Sequence, residues 1–342
     1  MQPFEYVEAQ SIDQAVALLS AGAADARIIA GGSDLLGEMK EGVVTPGRLV
    51  SLAGIAGLNA ITETGDGLTI GAMTTIADIA AHPVIRREYT ALAEAAAGLA
   101  TPQIRNVGTL GGNLNQRPRC WYYRHPLTRC LKKGGDRCYA LAGTSKYLCV
   151  TGGDRCYIVH PSDTAVALAA LGGLIEIAGP AGSRTIPVEE FFTSPSQDLT
   201  RENILAPGEL VTRVYLSRPS ESMPEIPPMQ GGDKRIERSL YLKARERESG
   251  DFALVSVAAA VIREGNVVLR ASLALGGVAP APYRARPVEE YLRGRSVAQV
   301  DPAHAGSLAL PDARPMADNG YKVILAQNLV KRAVSQLVGT FP

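Results

Sequence analysis

The chain has few aromatic residues, almost no net charge and no cysteine outside one short window. Aromatic residues make up 5% of the 342 positions, with a single tryptophan. The formal net charge is +1, so no global field draws the protein to nucleic acid. The longest apolar run, Thr164 to Ile175, falls well short of the roughly 20 residues that span a bilayer, so no membrane span is expected. The opening residues, Met1 to Glu5, offer neither a basic nor an apolar leader segment. A cytoplasmic location is therefore expected, with a periplasmic one open through co-export with a signal-bearing partner. The three-glycine dinucleotide fingerprint is missing, which argues against an ordinary Rossmann domain. No catalytic triad or general-base motif stands out.

The apolar residues that are present suit a globular protein. Hydrophobic residues make up 46% and charged residues 20%, and the length fits two or three domains. Short strands and helices alternate over the first hundred residues. Ser11 and Gln14 read as a capping box before a helix. Ala26 to Ala30 and Arg48 to Ser51 read as strands, Thr75 as a cap for Ile76 to Ala81, and Arg87 to Leu99 as one alanine-rich helix. Tyr157 to Val159 reads as a strand, with His160 to Asp163 capping an apolar helix to Leu171. Beyond Lys234 three strands and a closing amphipathic helix, Tyr321 to Leu337, make a smaller α+β unit.

Two polar glycine loops follow apolar segments. The first is Gly31-Gly32-Ser33-Asp34, before Leu35. The second contains Gly108, Thr109, Gly111, Gly112 and Asn113. Glycine lets a ligand approach the backbone closely, so two loops some 80 residues apart suit a ligand long enough to need two cradles, such as FAD. Each loop taken singly also fits a plain turn.

All five cysteines, Cys120, Cys130, Cys138, Cys149 and Cys156, fall in one segment, as do six of the 18 aromatic residues. An odd count and the missing leader disfavour disulfides. The gaps are nine, seven, ten and six residues, without the close pairs typical of zinc. Wide spacing is tolerated by a [4Fe–4S] cluster. Gly-Gly-Asp-Arg-Cys-Tyr occurs at both 134–139 and 152–157, setting Cys138 and Cys156 in matching contexts, whereas Cys149 sits in an apolar one. Cys120, Cys130, Cys138 and Cys156 are therefore the expected ligands, with Cys149 spare. The basic residues around them, Arg117 to Arg137, read as a counter-charge to the thiolates or as a docking face.

The ordered blocks Ile28 to Leu36, Ile70 to Thr75, Ile104 to Leu114, His160 to Asp163 and Gly208 to Val211 resemble the FAD-binding subunit of the xanthine dehydrogenase and molybdenum hydroxylase family. The resemblance implies an α+β architecture: a vanillyl-alcohol-oxidase (PCMH)-type FAD fold in two subdomains, residues 1–57 and 58–217, an Fe–S insert at 117–158, a linker at 218–238, and a carbon monoxide dehydrogenase flavoprotein-like domain at 239–342. It implies FAD contacts from Ile29, Ala30, Gly31, Gly32, Ser33, Asp34 and Leu35 in the first loop. In the second it implies Thr101, Asn106, Gly108, Thr109, Gly111, Gly112 and Asn113. Asp163, Val211 and Lys243 complete the implied set.

Most members of the family lack the cysteine insert. It resembles that of the three-subunit aldehyde oxidoreductases, and also that of 4-hydroxybenzoyl-CoA reductase; both carry an additional [4Fe–4S] cluster. The implied role is an oxidoreductase subunit that relays electrons. A large molybdenum-cofactor subunit and a small subunit with two [2Fe–2S] clusters supply them, and an external acceptor takes them. A zinc-stapled protein that has lost flavin is the non-enzymatic alternative. His82, His125 and His304 stand in contexts unsuited to covalent flavin attachment, which disfavours a stand-alone flavin oxidase.

Overall fold

The computed structural model describes residues 1–21, 25–218 and 235–339. Its strands form three sheets. The first joins β1 (Glu5–Glu8), β2 (Ala26–Ile29) and β3 (Arg48–Ser51) in parallel, with β3 central. Parallel neighbours need crossover connections; helices Ile12–Ala21 and Leu35–Lys40 lie in them. Ala15 and Leu19 of the first helix pack with Val50, Leu52 and Leu58. The Ser11 cap forms, its Oγ accepting from the Gln14 N–H at 3.1 Å. The return bond of the box is displaced by one residue: Gln14 Oε1 accepts from the Gln10 N–H at 2.7 Å.

The second sheet is antiparallel: β4 (Ile61–Thr64), β5 (Gly67–Gly71), β6 (Leu174–Gly179), β7 (Gly182–Pro187) and β8 (Leu210–Ser217), ordered β4-β5-β8-β6-β7. Between β5 and β6 lie the second glycine loop and the whole cysteine segment, so the sheet brackets both. The third sheet is an antiparallel meander of β9 (Arg235–Ala244), β10 (Val255–Glu264), β11 (Val267–Gly276) and β12 (Tyr283–Arg284). Helix Tyr321–Val338 covers it with Ala326, Val330, Ala333 and Leu337.

Helix Asp163–Leu171 is buried at every residue from Asp163 to Ala170, because it joins one core with residues of the second and third sheets. An all-round apolar helix needs this double cover. Gly172, at φ 70°, ends it in the left-handed conformation.

The expected helix Arg87 to Leu99 is instead two helices, Pro83–Glu88 and Thr90–Ala97. Tyr89 breaks it. Its ring is buried and its hydroxyl donates to the Ser217 carbonyl at 3.2 Å, which anchors the chain to the end of β8. The strand expected at Tyr157 to Val159 is irregular backbone, although the Cys149 N–H bonds to the Tyr157 carbonyl at 2.9 Å. The stretch expected to be a linker falls largely on 219–234, outside the described residues.

Candidate functional site

The two glycine loops pack against each other. A Cβ on Gly31 would overlap the Val107 carbonyl, so only glycine lets the first loop lie against the second. Gly32, at φ 70°, turns the chain into helix Leu35–Lys40. The second loop is not a simple turn. Thr101 caps helix Pro102–Val107, and Thr109 caps a short helix, Leu110–Leu114, by accepting from the Gly112 N–H at 3.2 Å. Backbone bonds from Ile76 N to Gly108 O, Leu110 N to Thr74 O and Gly111 N to Ala72 O tie this loop to the segment after β5. Asn113 turns inward. Its Oδ1 accepts from the hydroxyls of Ser162 (2.5 Å) and Thr164 (2.6 Å), locking the loop to the N-terminus of helix Asp163–Leu171.

Two cavities flank the paired loops. One, of about 620 Å³, is walled by Ala30 to Leu35 and by the segments Thr200 to Asn203 and Leu205 to Glu209. The other, of about 510 Å³, is walled by Thr101, Gly108, Asn113, Asp163 and Lys243, with Phe252 and Trp121 at its rim. Ser33, Asp34, Thr109 and Gly112 line both, so the two make one groove across the loops. The groove thus gathers most residues of the expected FAD set. Four others stand apart from its walls: Ile29 within β2, Asn106 exposed on its helix, Gly111 packed on Ala72, and Val211 buried in the core on β8. The wall from Thr200 to Glu209 had no sequence signal beyond the Gly208 block.

Asp163 is enclosed, and both its oxygens are engaged. Tyr241 donates to Oδ1 at 2.6 Å and Lys243 Nζ to Oδ2 at 2.7 Å, binding the central helix to β9 at the groove. Asp34 faces the cysteine segment. It accepts from the Arg117 N–H at 2.7 Å and from Arg124 at 2.6 Å, and it pairs with Arg119. Burial opposes its ionisation, but these guanidinium groups hold its carboxyl below the usual range.

His160 is fully enclosed, edge-on to Phe192 with ring centroids 4.6 Å apart. Burial pulls its pKa from 6.5 down to about 3, against a smaller opposing effect of the Leu114 backbone. The unfolded chain takes up this proton near pH 6.5 and the folded chain only near 3. Stability contributed by the neutral ring is therefore complete above 6.5 and declines as pH falls. We expect the unfolding free energy of the wild type, measured by urea titration, to drop between pH 6.5 and 4 with an extra slope of about 1.4 kcal/mol per pH unit relative to His160→Gln. Equal slopes for the two proteins would contradict this.

Cys120, Cys130, Cys138 and Cys156 line a single small cavity, together with Tyr123 and Lys132; Cys149 does not reach it. All five thiols are free. Burial pushes the Cys156 thiol up to about 11, while Lys132 pulls the other way, and burial also raises Cys120. Among the described residues, no three His, Cys, Asp or Glu side chains gather closely enough for a single metal ion. One tetrahedral zinc holds its sulfurs about 3.8 Å apart; a four-iron cluster spreads its four thiolates wider, over separate irons. Four thiols around one void match the second donor set in number and kind. The void is narrow, about 20 Å³, so a cluster requires the thiol side chains to turn outward.

The surrounding basic residues form neither a simple cage nor a simple patch. Arg117, Arg119 and Arg124 are paired with Asp34, Glu38 and Glu202, and only Lys132 lines the thiol cavity. A third cavity, of about 370 Å³, lies between the two regions. It shares Arg119, Trp121, Asp163 and Phe252 with the groove, and Cys120, Tyr122 and Leu148 with the thiol cavity.

The family model for the FAD binding domain in molybdopterin dehydrogenase matches residues 2–219, and that for the CO dehydrogenase flavoprotein C-terminal domain matches residues 240–337. The chain belongs to the FAD-binding medium subunits of the molybdenum hydroxylase family. It is 36% identical over 340 residues to the aldehyde oxidoreductase FAD-binding subunit PaoB of Escherichia coli (strain K12), covering 98% of each chain. It is 29% identical to the carbon monoxide dehydrogenase medium chain of Hydrogenophaga pseudoflava, covering 97% of this chain and 96% of that one. Among solved structures, the Cu,Mo-CO dehydrogenase in its cyanide-inactivated form matches with a TM-score of 0.74 at 26% identity, over 99% of each chain. The fold, FAD binding and an oxidoreductase assembly follow from this membership. No described helix is long and apolar enough to cross a membrane.

Proposed function

We propose that this chain is the FAD- and [4Fe–4S]-holding subunit of a molybdenum-dependent aldehyde oxidoreductase. It works beside a large molybdenum-cofactor subunit and a small subunit with two [2Fe–2S] clusters, and delivers electrons to an external acceptor. The observation that carries the reading is the placement of four thiols around one cavity, with a third cavity walled by residues of both that cavity and the groove. The full-length likeness to an aldehyde oxidoreductase FAD-binding subunit supports the substrate class.

FAD, when bound, supplies a carrier that can accept electrons one at a time from iron–sulfur centres and release them singly or in pairs. The protein's part is to position and insulate it. Ala30 to Asp34, Thr109 and Gly112 would hold its central span. Asp163 and Lys243, fixed by Tyr241, set a charged pair against it, and Phe252 and Trp121 restrict water at the rim. Cys120, Cys130, Cys138 and Cys156 would hold the cluster.

The test is metal and flavin analysis of the anaerobically purified complex, with an EPR spectrum after reduction. About four irons and one FAD per copy of this chain, above the partners' iron, and a [4Fe–4S] signal are expected. One zinc and no flavin would contradict the proposal.

A further inference from the structure

A chain of buried polar groups runs from the thiol cavity to the wall of the groove. Lys132 is buried, and its Nζ lies 2.5 Å from Glu202 Oε1. The other Glu202 oxygen pairs with Arg117 at 2.7 Å. Arg117 Nε donates to the Tyr123 hydroxyl at 3.0 Å, which donates to Glu38 Oε1 at 2.5 Å. Lys132 and Tyr123 line the thiol cavity; Arg117, Glu202 and Glu38 line the larger half of the groove.

Burying an ion pair costs desolvation that its mutual attraction often fails to repay, so stability alone does not explain Lys132 and Glu202. Their setting supplies another reason. Four thiolates and a cluster gather negative charge in a poorly polarisable interior, and each electron added increases it. A buried cation beside them favours the reduced form, and a carboxylate beside that cation moderates the effect.

We propose that Lys132 and Glu202 set the reduction potential of the centre held by the four cysteines. Lys132 raises the potential and Glu202 restrains it. Arg117 and Tyr123 fix both residues to the wall of the FAD groove. The inference rests on the reading of that centre as a [4Fe–4S] cluster. The step concerned is uptake of one electron from the partner centres, or from dithionite in the test. No bond to Lys132 or Glu202 forms or breaks, and no proton is transferred. Both are positioning residues.

The experiment compares Lys132→Met, Lys132→Arg and Glu202→Gln with the wild type, each in the intact complex. Iron and FAD contents are measured, and the cluster's midpoint potential is followed by EPR-monitored titration. With iron retained, Lys132→Met is expected to disfavour reduction at least tenfold, a shift of about 59 mV downward for a one-electron couple. Glu202→Gln is expected to shift it upward, and Lys132→Arg to stay near the wild type. If Lys132→Met fails to hold iron, Glu202→Gln decides: an upward shift supports the proposal, and an unchanged or lower potential overturns it. Loss of iron from both variants marks a merely structural pair and also overturns it. A wild-type complex with no iron at this centre refutes the cluster reading itself. Iron present with unmoved potentials refutes only this inference.

Discussion

Serine in place of Cys120, Cys130, Cys138 or Cys156 is expected to abolish the iron of the proposed cluster, while Cys149→Ser is expected to leave it in place. Each of the four lines the shared cavity, and Cys149 does not. Cys149 lies behind it, 1% exposed, and its carbonyl accepts from the buried amide of Asn319 at 3.0 Å. Burial, reinforced by the nearby Cys156 thiol, pushes the Cys149 thiol up to about 12. Serine at one of the four leaves three thiolates and an alkoxide-forming group of far weaker affinity for iron, so loss of the cluster signal is expected at each. Iron per chain and the EPR signal of the reduced complex read the result. Loss at Cys149→Ser, with retention at any of the four, would replace that cysteine in the ligand set.

Gly31→Ala will empty the FAD groove while the rest of the fold survives. The added methyl overlaps the Val107 carbonyl oxygen and carbon, which belong to backbone that cannot rotate away. The first loop must then move off the second, and the cradle that both loops form opens. A penalty of about 3 kcal/mol on the bound state corresponds to roughly a hundredfold weaker binding. Gly65→Ala is the matched control, since a Cβ there meets nothing within 4 Å. The flavin-to-protein ratio after gel filtration distinguishes them. A wild-type ratio in Gly31→Ala would show that the two loops do not need their close contact.

Local chemistry was the legible part of this sequence. Thr75 and Ser162 cap helices by accepting the N–H groups that follow them, and such bonds span only three residues. The same holds for Gly32, whose left-handed φ of 70° is a property of its own turn, but not for Gly31, whose need is set by Val107. The choice of four cysteines rested on a repeated hexapeptide and one apolar context, and the cavity groups the same four. What could not be read depends on distant partners. Tyr89 divides a helix because of a carbonyl on β8. Asp34 was placed by resemblance in the cofactor loop, and it also binds arginines some 85 to 90 residues away. Lys132 finds Glu202 across 70 residues. Strand β7 is exposed over nearly its whole length, so it shows no apolar alternation. Val211 was placed by resemblance at the flavin, but its β8 position turns it into the core between the sheets.

The most direct test of the account is to add an aldehyde to the intact, anaerobic complex and follow two signals of this chain together, the flavin absorbance and the EPR spectrum of the cluster. The flavin is expected to bleach and a reduced [4Fe–4S] signal to appear within turnover. Both should fail in complex lacking molybdenum cofactor and return with dithionite. Substrate oxidation by a molybdenum-loaded complex that leaves the flavin oxidised and the cluster silent would contradict it.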